Sequence, residues 1–157
     1  MHCKSFPAVF KCPIFNSMSD LLNPFAPFVA GLVGDEHSNA TIQGSEPGTS
    51  GSISVLGDTQ YLHDEIGRNI GTIDHFFHGD ASISDGHGMH LGDAHTFGDT
   101  TTVTNSAGSP EMIIHHGLGS DSVENSHHEQ IQTVDHFGST DIIHNLEDGS
   151  SQTVSHF

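Results

Sequence analysis

Histidine recurs at one place in a repeated phrase of this sequence. "TIDHF" (72–76), "TVDHF" (133–137) and "TVSHF" (153–157) carry His75, His136 and His156, and "IIHHG" (113–117) places His116 at the same step. In "DAHTF" (93–97) Thr96 takes the position, with His95 beside it. Neutral imidazoles in such a column suit a late first-row metal such as zinc, nickel or copper. If successive units stacked in register as parallel coils, the rings would lie about 4.8 Å apart. His75, His95, His116, His136 and His156 are therefore the candidate metal ligands, with Asp74 and Asp135 in the adjacent column. His78, His115, His87, His90, His127 and His128 stand nearby. No HExxH or CxxC spacing accompanies them, so no metal is required by motif.

Other chemistry is less well supplied. Asp58, Asp80, Asp99, Asp121 and Asp141 follow glycine-containing stretches and read as turn formers, since neither an EF-hand loop nor the nonapeptide of calcium β-rolls is present. Ser, His and Asp are abundant, but none sits in a nucleophile elbow. Arg68 is the only cation beyond residue 11, which leaves little to hold an anionic substrate. The expectation is a protein that is not an enzyme.

Three basic residues face 20 acidic ones, for a formal charge of −17. That balance excludes the clustered Lys and Arg of a nucleic-acid surface. It also disfavours an anionic membrane surface. Full protonation of the 15 His would carry the charge to −2, so self-repulsion should fade between pH 7.5 and 5.

The elements that must position these groups are repeats. Taking a polar turn residue of each unit as anchor gives Gly44, Asp64, Asp85, Asn105, Asn125 and Asn145, at intervals of 20 or 21 residues. Two before each anchor stand Ile42, Leu62, Ile83, Val103, Val123 and Ile143; nine after it stand Ile53, Ile73, Ala94, Ile114, Val134 and Val154. Twelve after it come Leu56, Phe76, Phe97, Gly117, Phe137 and Phe157. Such periods belong to arrays whose units bury their apolar faces against their neighbours. Residues before each anchor are β-branched or Thr-rich, as in "TTTVT", and those after it are turn formers, as in "DEIGRN".

Strand alternation predicts inward columns two apart. The columns at nine and twelve both read as inward and are three apart, so a bend or bulge must fall at the Asp-His pair, placing the His ring at a corner near the surface. The fold class is all-β: six tandem repeats of about 20 residues, as a β-solenoid or a hairpin array, over residues 38–157. The phrases "DEIGRNIG" (64–71) and "DGHGMHLG" (85–92) resemble the short-repeat β-hairpin proteins of bacteria described as beta-flower or YD-type. The resemblance spans residues 42–157, implies hairpins and assigns no residue a role. Later units depart from it, with Pro110 and Glu111 in one and Gln132 and Gln152 in others.

Residues 1–37 differ in character. "SDLLNPFAPFVAGLVGDEH" offers a helix cap at Ser19 or Asp20 and an apolar run ending at Gly34, interrupted by Pro24 and Pro27. It reads as a short apolar helical segment that caps or docks onto the repeats, or as an assembly or export peptide. Its apolar core is too short to span a bilayer. Cys3 and Cys12 could pair or stay free, and Met18 offers a second start. The expected role is a structural or binding β-repeat protein that self-assembles through open β edges, as a homo-oligomer or filament. The alternatives are metal binding through the His column and an exported adhesion or cargo domain.

Overall fold

The computed structural model describes residues 24–34 and 36–157. The expectations placed on Cys3, Lys4, Lys11, Cys12, Met18 and the cap at Ser19 or Asp20 lie outside the described residues. A 3-10 turn (Ala26–Phe28) leads into one short helix, α1 (Val29–Val33). Twelve strands follow: β1 (Ala40–Gly44), β2 (Gly51–Leu56), β3 (Thr59–Asp64), β4 (Asn69–His75), β5 (Asp80–Asp85) and β6 (His90–Phe97). The second half continues with β7 (Thr100–Asn105), β8 (Pro110–His116), β9 (Ser120–Asn125), β10 (Gln130–Phe137), β11 (Thr140–Asn145) and β12 (Ser151–His156).

Each strand pairs antiparallel with its successor, and β12 returns to β1 through Ala40–His156, Ile42–Val154 and Gly44–Gln152. The result is a closed all-β barrel, not a solenoid. Closure satisfies the backbone groups that an open array would leave at its ends. No described strand therefore offers the free edge through which assembly was expected.

Inside, the barrel is layered. Ile53, Leu62, Ile73, Ile83, Val103 and their successors round to Val154 form a buried apolar belt, the two and nine columns of the repeat. The residues between them, such as Thr72, Asp93, Thr104 and Thr133, point outward and stay partly exposed. An apolar interior with a polar exterior is the reverse of a lipid-spanning barrel.

The Phe column does not face the core. Leu56, Phe76, Phe97, Phe137 and Phe157 are exposed, Phe97 at 91%. Strands β10 and β11 pair without a break from Gln132–Asn145 to Phe137–Thr140, so no bend falls at the Asp-His pair. The inward positions are nine and eleven after the anchor, which simple alternation allows. The irregularities lie at the other end: between Leu62 and His63, Ile83 and Ser84, Val103 and Thr104, and Gln130 and Gln132, where the strand after each anchor turn carries one extra residue.

The five Asp and Asn anchors form Asx turns. Asp64 Oδ1 accepts from the backbone N–H of Ile66 and Arg68, and Asn105 Oδ1 from Ala107 and Ser109, at 2.8–3.1 Å. Three residues after the anchor, Gly67, Gly88 and Gly108 adopt φ of +84 to +88°, whereas the fourth such turn places His128 there at +65°. A left-handed non-glycine residue costs roughly 1 kcal/mol. His128→Gly should therefore raise unfolding stability by about 0.5–1 kcal/mol. Urea titration checks this, and an unchanged midpoint would mean that the side chain's contact with Glu124 offsets the backbone strain.

A histidine and carboxylate rim

One end of the barrel carries a polar layer, one inward side chain from each strand. The column four before the anchor supplies Ala40, Gln60, Ala81, Thr101, Asp121 and Asp141, all buried. The column eleven after it supplies Val55, His75, Thr96, His116, His136 and His156. Because neighbouring strands run in opposite directions, the two columns interleave. Each histidine thus sits beside a carboxylate, amide or hydroxyl, and not on another imidazole.

From β6 to β12 the layer is one continuous hydrogen-bonded chain. Thr96 Oγ1 meets Thr101 Oγ1 at 2.7 Å, and Thr101 Oγ1 meets His116 Nε2 at 2.8 Å. His116 Nδ1–H donates to Asp121 Oδ2 at 3.1 Å. The same oxygen accepts from His136 Nε2 at 3.2 Å. His136 Nδ1–H donates to Asp141 Oδ1 at 2.6 Å, and His156 Nε2–H to Asp141 Oδ2 at 2.7 Å. Asp121 and Asp141 are each only 4% exposed.

This geometry fixes charge. A carboxylate only accepts, so the carboxylate at each ring nitrogen of His136 favours the form that donates from both, the imidazolium. Burial pushes its pKa down, but the hydrogen bonds to Asp141 and Asp121 outweigh that and hold it above the ordinary histidine value. His75 behaves oppositely. Its Nε2 bonds Gln60 Oε1 at 2.8 Å and its Nδ1 meets Glu36 Oε2 at 3.1 Å, yet burial outweighs the pull of Glu36 and lowers its pKa.

The five sequence candidates therefore divide. His116, His136 and His156 are joined through Asp121 and Asp141. His75 occupies the same layer on β4, away from these carboxylates. His95 points outward, with Nδ1 at 3.0 Å from Asp80 Oδ1, an exposed pair of little energetic weight. The rings are partly buried and face inward, not outward at a corner. Among the described residues, no three His, Cys, Asp or Glu converge as a metal would need. The distances of 2.6–3.2 Å are those of hydrogen bonds.

Asp121 and Asp141, turn formers by sequence, are instead buried inward members of this layer. The signal that marks them is their position two residues before Val123 and Ile143, on the same face as the core column. Gly34, just past α1, lies against the His156 ring, so the helix ends at this rim. An open depression lined by Val33, Gly34, His136, Asp141 and His156 gives solvent access to the end of the chain.

No known family description matches the chain. No curated protein matches it either. Among solved structures, the chain is similar to a crystal structure of a protein from Arabidopsis thaliana, with 11% identity, a TM-score of 0.50 and coverage of 79% of this chain and 83% of that one. At that identity the likeness concerns the fold alone.

Proposed function

We propose that this chain is a non-enzymatic binding module that self-associates through the rim end of the barrel. The observation that carries the reading is a crown of exposed apolar residues: the hairpin connections at that end present Leu56, Phe76, Phe77, Phe97, Leu118 and Phe137, and the last strand ends on Phe157. At ~150–250 Å² per aromatic side chain, these exposures amount to on the order of 800 Å² of apolar surface. That is about what one partner contributes to a standard interface. A ring around one axis is also self-complementary: a second copy turned through a two-fold presents the same crown.

Charge opposes this contact, because Asp58 and Asp99 sit in the same hairpins and the only basic side chain among the described residues, Arg68, is in a turn at the other end. Added salt should therefore strengthen association by screening, as should lowering the pH toward 6, where imidazoles gain charge. Size-exclusion chromatography with light scattering tests the reading. The full chain is expected as a dimer or larger species, unaffected by EDTA, and Phe97→Asp with Phe137→Asp as a monomer. A wild-type monomer at the highest soluble concentration would overturn it.

A further inference from the structure

The end of the barrel opposite the crown is unevenly filled. The column seven after the anchor lies inward there as Gly51, Gly71, Gly92, Met112, Gln132 and Gln152. Phe28 packs over Gly71 on β4 and Phe25 over Gly92 on β6, so the two aromatic rings fill that side. Across the lumen, between β1–β3 and β10–β12, a cavity of about 220 Å³ remains. Ile42, Leu62, Ile143 and Pro27 give it apolar walls.

Polar groups line the rest of it, Gln152 and Gln132 among them. Gln152 Nε2 is already committed to the Thr49 carbonyl at 2.7 Å. Gln132 is 8% exposed, and its Oε1 is a buried acceptor with no partner. Leaving such an acceptor unpaired costs ~1–3 kcal/mol, which a donor from a ligand recovers. Asp64 and Asp148 also line the cavity; Asp64 is paired with Arg68 Nε at 2.8 Å, so Asp148 carries the uncompensated charge. The space is smaller than the ~300–1,000 Å³ of drug-sized sites, so the ligand is small.

We propose that this cavity is a binding site for a small organic ammonium ion: its N–H donates to Gln132 Oε1, its charge faces Asp148, and its apolar body lies against Ile42, Leu62 and Ile143. An anion is repelled by Asp148, and a neutral alcohol makes the hydrogen bond without the charge attraction. The site is separate from the crown and does not depend on self-association.

The test titrates the full chain at pH 7.5 with 2-phenylethylammonium, 2-phenylethanol and 3-phenylpropanoate, read by calorimetry and by the Gln132 side-chain amide resonances. The ammonium is expected to bind and shift those resonances, the alcohol to bind about tenfold more weakly or worse, and the carboxylate not to bind. Gln132→Leu should weaken the ammonium by about tenfold or more while unfolding no earlier than wild type. Should that variant misfold, Ile42→Phe fills the same space and should also block binding. Equal binding of the three probes, unaltered binding in both variants, or no binding by the full chain would overturn the proposal. Phe97→Asp with Phe137→Asp, which tests the crown, should bind the ammonium as wild type does.

Discussion

Asp141→Ala should cost about 3 kcal/mol of unfolding stability at pH 6. Asp141 is the common acceptor of His136 Nδ1 and His156 Nε2, and its removal leaves two donors aimed at nothing and halves the countercharge of a partly buried imidazolium. Breaking one partner out of such a pair costs ~3–5 kcal/mol when water is excluded. The lower end applies here, because the His136 side chain is 27% exposed at the rim and solvent screens part of the loss.

The pH dependence follows from the direction of the shift. The pKa of His136 is higher in the folded chain than the ordinary value of about 6.5. Its contribution is thus fully present below about pH 6.5 and is lost as pH rises through the raised folded pKa. The Asp141→Ala penalty should accordingly shrink between pH 6 and 9, as measured by urea unfolding. His75 runs the other way: its pKa is lowered, chiefly by burial, so its contribution is present above about pH 6.5 and lost as pH falls through the lowered value. A penalty under about 1 kcal/mol at pH 6, or one that grows toward pH 9, would show that the rim is a solvated set of pairs and not a coupled chain. Asp141→Ala combined with His136→Leu should lose less than the sum of the two single changes, since the buried cation goes with its partner.

The β content and the unit boundaries were legible because they rest on local chemistry. Asp64, Asp85, Asn105 and Asn125 each bond the backbone two and four residues on, and a chain announces such turns by residue type alone. The belt columns, from Leu62 to Val154, were legible for the same reason: they are apolar in every unit and lie on one face of a strand. Closure was not. Pairing of Ile42 with Val154 joins residues far apart in sequence, and nothing in either strand distinguishes a barrel seam from a sheet edge.

The Phe column misled through composition. Phe97 and Phe137 look like core and are crown, because large apolar residues in hairpin tips satisfy the repeat without satisfying the alternation. Taking them as inward forced a bend at the Asp-His pair and put His136 on the surface. Trusting the two-residue period would have placed Asp121 and Asp141 inside with it. A carboxylate on the core face of a strand is the costlier feature, and hence the more informative one.

Phe28→Ala should destabilise the fold by about 3–5 kcal/mol, the other large effect. Side chains alone fill a barrel of about eight strands, and wider ones leave a lumen that something must occupy. Here twelve strands close around the 3-10 turn and α1, and Phe25, Phe28, Val29 and Ala30 are all within the core. Gly31 in α1 lies so close to Ile73 and Gln60 that a Cβ would meet Ile73 Cδ1 at 2.7 Å. Gly71 makes the same accommodation from the barrel wall: a Cβ there would lie 2.5 Å from the Phe28 ring and 2.9 Å from the Ser84 carbonyl oxygen. Gly71→Val should therefore approach the cost of Phe28→Ala, by overpacking where the other leaves a void. Far-UV circular dichroism under urea measures both. The sharpest control keeps the residue type and changes only its place: Phe28 is 3% exposed and Phe97 is 91% exposed. Phe97→Ala, read on the monomer at low concentration, should stay within about 0.5 kcal/mol of wild type. If Phe28→Ala did the same, the helix would contribute nothing to the lumen, and the barrel would have to be filled from elsewhere in the chain.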